Sequence, residues 1–240
     1  MEKKILLLIG KPIGIDVINF LTKFSNLDLE IWSSNNELLI NKKVKYLKDK
    51  KKFINYFLRS KKNYDFLILV YWPWLVPGNL FGKFKNSINF HPAYLPFGRG
   101  WYPHVHTLIK KFKWGVSLHK ILPGMDDGDI WFQKEIKFHK FSNAKDLYDK
   151  SKDEILKLFK KNVIKIIKGK VKAKKQKGRV ITLYKKDLLK YDELKLNKNY
   201  KLEDLIKISN ARSFGKKTFN YFFYKKNKYS FNLEIKKISN

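Results

Sequence analysis

Lys4–Ile9 is a continuous apolar run closed by Gly10, a run of the same kind recurs at Phe66–Tyr71, and a further strand is expected at Ser87–His91. A strand that is apolar on both faces has to be covered on both faces, which is the situation of a strand inside a parallel sheet flanked by helices. Helical patterns separate these runs, at Asp16–Phe24, Lys51–Arg59 and Tyr102–Lys111. The longest is Asn143–Lys168, whose apolar positions Leu147, Ile155, Phe159, Val163, Ile166 and Ile167 recur at helical spacing and which Gly169 stops. Leu27–Trp32, Val44–Leu47, Gly115–Ile121 and Trp131–Phe138 complete the expected strands. This alternation predicts an α/β fold with a mostly parallel sheet.

Around Lys170–Gly178 the pattern gives way to a lysine-rich connector, so residues 1–178 read as the main domain and 179–240 as a small C-terminal extension. Within the extension Leu202–Ser209 reads as a helix. Phe219–Tyr224 and Tyr229–Ile235 read as a hairpin turning at Lys225–Lys228.

The formal net charge of +32 suggests a nucleic-acid partner, but only Arg59, Arg99, Arg179 and Arg212 are arginine among 53 basic residues. Base readers draw on the arginine fork, so a lysine excess spread along the whole chain is read as compositional bias, and neither nucleic acid nor membrane is expected as a partner. With no cysteine, thiolate nucleophiles and cysteine-ligated metals are excluded. The apolar run after Lys3 and Lys4 is too short for an export signal, and Phe66–Gly82 is broken by Pro73, Pro77 and Gly78; the expected location is the cytoplasm.

Asn89 and His91 are two apart on an expected strand, so period two puts both on one face near its carboxyl end, where Pro92 stops pairing. In open α/β sheets ligands bind at that end. The spacing alone favours a polar strand end with a hydrogen-bonded structural histidine. Asp126 lies in a turn between two expected strands, with Gly128 supplying backbone freedom. Next to His91 its carboxylate would favour the imidazolium and could accept a proton. Asp126, Asp127 and Asp129 also fit a divalent-cation site or a solvated acidic turn. His119 lies on the strand leading to that turn and is a candidate for lining the site. Lys11, in Gly10–Gly14, is placed either to meet a phosphate or to sit on the surface, since the loop lacks the spacing of a dinucleotide or P-loop fingerprint. Arg99 either clamps a diphosphate or braces its loop. His104, His106 and His139 have no identifiable partners and read as structural or exposed.

The segments Asn89-Phe90-His91-Pro92, Leu95-Pro96 with Arg99-Gly100, Gly115-Val116-Ser117-Leu118-His119, and Met125-Asp126-Asp127-Gly128-Asp129-Ile130 with Gln133 keep an order and spacing that resembles the folate-dependent formyltransferases. The resemblance covers roughly residues 60–137, with Lys4–Ile9 fitting the opening of a Rossmann-like domain. It implies Asn89, His91 and Asp126 as catalytic residues and 10-formyltetrahydrofolate as co-substrate, with no metal. It also implies that folate sits beside Trp74, Leu75, Val76 and Pro77 and beside Met125, Asp127 and Gly128. The stretch Tyr94–Pro103 and the short aromatic tail look most like the sugar-nucleotide N-formyltransferase branch, which implies an acceptor amine on a nucleotide-linked amino sugar. A dTDP-linked 4-amino-4,6-dideoxyhexose such as dTDP-4-amino-4,6-dideoxyglucose, used for surface glycans such as O-antigen, is the first expectation. Lys11, Tyr94, Arg99, Tyr102 and His119 are the expected substrate-side residues, and a homodimer is expected from the tail. The competing readings are a methionyl-tRNA formyltransferase-like or RNA-binding protein, and a metal-dependent nucleotide-sugar glycosyltransferase.

Overall fold

The computed structural model describes residues 2–39, 43–236 and 238. Along the chain it forms β1 (Lys3–Ile9), α1 (Ile13–Leu21), β2 (Leu27–Ser33), β3 (Val44–Tyr46), α2 (Lys50–Arg59), β4 (Tyr64–Val70) and β5 (Phe84–His91). There follow β6 (Phe97–Gly100), α3 (Pro103–Lys110), β7 (Gly115–His119), β8 (Ile130–Glu135) and α4 (Ala144–Ile167). The remainder comprises β9 (Ile181–Leu183), α5 (Leu202–Ala211) and four short strands, β10 (Ser213–Phe214), β11 (Lys217–Thr218), β12 (Tyr221–Tyr224) and β13 (Asn227–Ser230). Two compact units result, one of residues 1–91, 116–134 and 153–177, the other of 92–115, 135–152 and 178–240.

The first unit is built on a seven-stranded sheet in the order β3-β2-β1-β4-β5-β7-β8. The five strands from β3 to β5 run parallel, and β7 joins β5 antiparallel. Ile5, Leu7, Leu8 and Ile9 of β1 are fully buried, as the doubly apolar run requires. Beneath one part of the sheet Leu6, Leu8, Trp32, Phe53, Phe57, Leu67, Leu69 and Val76 form one cluster, against which Trp72, Trp74 and Ile121 also pack. Helix α2 presents Phe53 and Phe57 to this cluster from consecutive turns, and the Asp49 carboxylate accepts its Lys52 amide at 2.8 Å. Phe159 of α4 meets Phe90 of β5 at 4.9 Å between ring centroids. Gly169, at φ +69°, ends α4 as the sequence predicts.

In the second unit β6 pairs with β9, a parallel contact between segments too short to show a strand pattern. Asn143 Oδ1 accepts from the Lys145 and Asp146 amides while the Asp146 carboxylate accepts from the Asn143 amide, a reciprocal cap at the start of α4. The C-terminal hairpin differs from expectation. It turns on Lys225 and Lys226 alone, pairing Tyr224 with Asn227, because Lys225 takes up the left-handed φ of +54° that a two-residue turn demands. Among the described residues no helix is long and apolar enough to cross a membrane.

Candidate active site

Strand β5 ends at His91, and the antiparallel register sets Asn89 opposite His119 and His91 opposite Ser117. His91 and His119 are buried, at 4% and 1% exposure. Asn89 Nδ2 lies 3.0 Å from His119 Nε2 and 3.3 Å from Asp126 Oδ1. Asp126 Oδ2 is 3.5 Å from His91 Nδ1, and Asp126 Oδ1 is 3.5 Å from His119 Nε2. One carboxylate therefore stands between two imidazoles and an amide, all within the first unit.

The loop 120–129 that carries Asp126 is fixed in an unusual way. Asp126 itself adopts φ +49°, a left-handed conformation that costs a side-chain-bearing residue about 1–2 kcal/mol. Gly128 plays a different part from the one its sequence position suggests. It is needed for close approach, since a Cβ there would lie 1.8 Å from the Lys120 carbonyl oxygen. The freedom in φ belongs to Asp126, an aspartate being one of the few non-glycine types that tolerates it. Lys120 N donates to Asp129 O at 2.8 Å and closes the loop.

His119 Nδ1 is 2.6 Å from the Lys120 carbonyl oxygen. A carbonyl only accepts, so the assigned tautomer carries its proton on Nδ1 and leaves Nε2 to accept from Asn89 Nδ2. His91, His119 and Asp126 each offer one ligand atom within a 4.8 Å span, a set that suits a transition metal. The Asn89 amide donor, however, is directed at the His119 lone pair that such a metal would use.

The other expected residues are placed as follows. Trp74 is half-buried against Trp72 at 4.9 Å and near Phe53 at 6.0 Å, Val76 is buried, Pro77 is half-buried, and Leu75 is exposed at 65%. Met125 and Asp127 are half-buried, and Asp127 Oδ1 is shielded from solvent without a hydrogen-bond partner. Lys11 is exposed in the turn after β1. Tyr94, Arg99 and Tyr102 belong to the second unit, where Lys113 Nζ lies 4.3 Å from the Tyr94 ring centre and Tyr102 is exposed at φ +51°. His104 and His106 are buried and His139 is exposed. Gln176 is a residue that pattern reading passes over: from the lysine-rich connector its Nε2 donates to the carbonyl oxygens of Asp126 and Gly128, at 2.8 and 2.9 Å.

A family model described as Formyl transferase matches residues 38–163, more than half of the chain. The chain belongs to that family. Among solved structures, a 4-N formyltransferase from Francisella tularensis matches with a TM-score of 0.88 at 26% identity, over 98% of this chain and 99% of that one. The N-formyltransferase of Helicobacter canadensis, solved in complex with folinic acid and dTDP-3-aminofucose, shares the fold with a TM-score of 0.67 at 20% identity, over 94% of this chain and 85% of that one. A dTDP-4-amino-4,6-dideoxyglucose formyltransferase of Mycobacterium bovis is 32% identical over 68 residues, 28% of this chain and only 29% of the relative's own length. Methionyl-tRNA formyltransferases are also among the relatives.

Proposed function

We propose that the chain transfers the formyl group of 10-formyltetrahydrofolate to the amino group of a nucleotide-linked amino-dideoxy sugar, with dTDP-4-amino-4,6-dideoxyglucose the first candidate. The observation that carries this reading is the convergence of Asn89, His91 and Asp126 at the end of β5 in a chain of the formyl transferase family. The 4-amino preference draws on the Francisella and mycobacterial relatives. A surface-glycan pathway in the cytoplasm is the setting we infer.

The residues fit folate on chemical grounds. The Trp74–Pro77 stretch offers apolar surface, and the unpartnered Asp127 Oδ1 is an acceptor suited to the N–H edge of a pterin. We assign the folate contacts to Trp74, Leu75, Val76, Pro77, Met125, Asp127 and Gly128. Lys11, Tyr94, Arg99, Tyr102 and His119 are assigned to the sugar-nucleotide side. The co-substrate supplies an activated formyl carbon with a nitrogen leaving group.

In this mechanism Asn89 exchanges its 3.3 Å bond to Asp126 Oδ1 for the substrate and, with His91, donates to the formyl oxygen as it gains negative charge. One such positioned donor is worth about 2.7–4 kcal/mol. Asp126 balances the charge on His91 and accepts the proton that the attacking amine must lose, directly or through water. That proton then serves the departing nitrogen, so the carbon–nitrogen bond formed and the one broken leave no net proton change. No step assigned here calls on a metal.

The C-terminal extension exposes Phe219, Phe223, Tyr224 and Tyr229, and we assign it to homodimer formation. A sedimentation coefficient of a monomer at micromolar concentration would refute that assignment. The reaction itself is tested with a panel of dTDP-, UDP- and GDP-linked amino sugars and methionyl-tRNA, each with 10-formyltetrahydrofolate. A mass gain of one formyl group on one nucleotide sugar is expected. Formylation of methionyl-tRNA alone would overturn the reading and give the +32 charge a tRNA-binding purpose.

A further inference from the structure

The lysine-rich stretch after α4 folds back onto the sheet. Ile130 N donates to Lys174 O at 2.7 Å and Lys174 N donates to Ile130 O at 2.9 Å, so Lys174 forms a two-way bridge at the start of β8. Two residues further on, Gln176 turns inward while Lys174, Lys175 and Lys177 stay exposed. Its carboxamide nitrogen has two hydrogens, and there is one carbonyl for each: Asp126 O at 2.8 Å and Gly128 O at 2.9 Å. These two carbonyls flank Asp127, so a single side chain spans the segment that holds Asp126 in its left-handed conformation.

We propose that Gln176 is a positioning residue for the Asp126 carboxylate, and that 170–177 serves as a strap over the acidic loop. The proposal rests on the formyl-transfer reading for its catalytic consequence, and on geometry alone for the strap. Gly128 is held from the other side by its close approach to the Lys120 carbonyl. The Gln176 bonds restrain the Asp126 end, where a strained backbone persists only if its surroundings over-determine it. A carboxylate whose backbone is released loses its aim at His91 and His119, each at 3.5 Å.

The test uses Gln176→Met, which keeps the length and removes both donors, and Gln176→Glu, which keeps the shape and replaces donors by acceptors. Both are expected to lower kcat roughly 10- to 100-fold, the scale of a small misplacement of a catalytic group. KM for the sugar nucleotide should stay within about threefold, since none of its assigned contacts lies in the loop, while KM for 10-formyltetrahydrofolate should rise as Met125, Asp127 and Gly128 are released. In an Asp126→Asn background Gln176→Met should cost nothing further, because the two residues act through one carboxylate. Amide exchange across residues 124–129 of the substrate-free protein should speed by about tenfold or more. Wild-type kcat in both variants, a fully additive double variant, or unchanged exchange would overturn the proposal. Should wild-type protein formylate no acceptor, the functional reading falls and the exchange result alone decides the strap.

Discussion

Asn89 and His119 face each other across the antiparallel pair β5–β7, with the amide nitrogen of one 3.0 Å from the imidazole Nε2 of the other. Because His119 Nδ1 is engaged by the Lys120 carbonyl at 2.6 Å, the ring is set to accept, and it fixes which way the Asn89 amide points. His119→Ala removes that acceptor and lets the amide turn over. The expected result is a kcat about 10- to 100-fold lower with a folded protein, the usual penalty for a misoriented catalytic group. Nitrogen shifts of the wild-type ring should report a proton on Nδ1; one on Nε2 would contradict the assigned orientation.

Asn89→Ala, His91→Ala and Asp126→Ala each remove a member of the proposed catalytic set. A loss of about 10²–10³ in kcat is expected for the Asn89 change, on the scale of one oxyanion donor. The circular dichroism spectrum should be unchanged. Near-normal turnover by His91→Ala would sink the mechanism.

The trio His91, His119 and Asp126 fits a transition metal by geometry, so the chemistry needs a direct check. If the site works by hydrogen bonding, dialysis against a chelator leaves the rate unchanged. Added zinc should inhibit, by taking the His119 lone pair that Asn89 otherwise occupies. Loss of activity on chelation, restored by a divalent ion, would mean that this trio holds a metal that formyl transfer requires.

How much of this was legible in sequence depends on distance along the chain. Strands β1 and β4 were legible because each is apolar on both faces, and Asn89 with His91 because period two is local. The pairing of Asn89 with His119 is a register between strands, and no local pattern encodes it. Gln176 was hidden by its neighbours: Lys174, Lys175 and Lys177 make the segment look solvated, and a single inward side chain leaves no period. Asp126's left-handed backbone was likewise masked by Gly128, which invites the wrong explanation of the turn. Strands β6 and β9 were missed since four residues among prolines and glycines, and three residues after a lysine-rich connector, carry too few alternations to show a strand.

Glu30 is the hub of a charged network away from the site. Burial alone would raise its pKa, but bonds from Lys62, Trp32 and Tyr64 outweigh burial and hold it at about 2. Lys62 Nζ lies at 2.7 Å and Tyr64 Oη at 2.9 Å. A carboxylate with a depressed folded pKa contributes stability that is complete above its unfolded value, near 4.5, and is lost as pH falls toward about 2. Glu30→Gln should therefore destabilise at pH 7 by about 1–3 kcal/mol, as for a hydrogen-bonded charge removed from its partners, and should flatten the loss between pH 4.5 and 2. Equal urea midpoints for both proteins at pH 7 would contradict this.

His104 and His106, both buried on α3, act in a separate window of pH. Burial holds each pKa down to about 4, reinforced at His104 by the charge of His106 and at His106 by Lys110. The unfolded chain takes up these protons near the ordinary histidine value of 6.5, while the folded chain resists until about 4. As pH falls through that interval the unfolded state binds more protons than the native state, so stability drops with falling pH. It is complete above 6.5, declines from there to 4, and gains no further slope from these groups below 4. Urea midpoints measured in half-unit steps from pH 8 to 3.5 should therefore hold level down to about 6.5 and then descend, well before the carboxylates titrate. A midpoint that stays flat to pH 5 would mean that these imidazoles take up their protons inside the fold at the ordinary value.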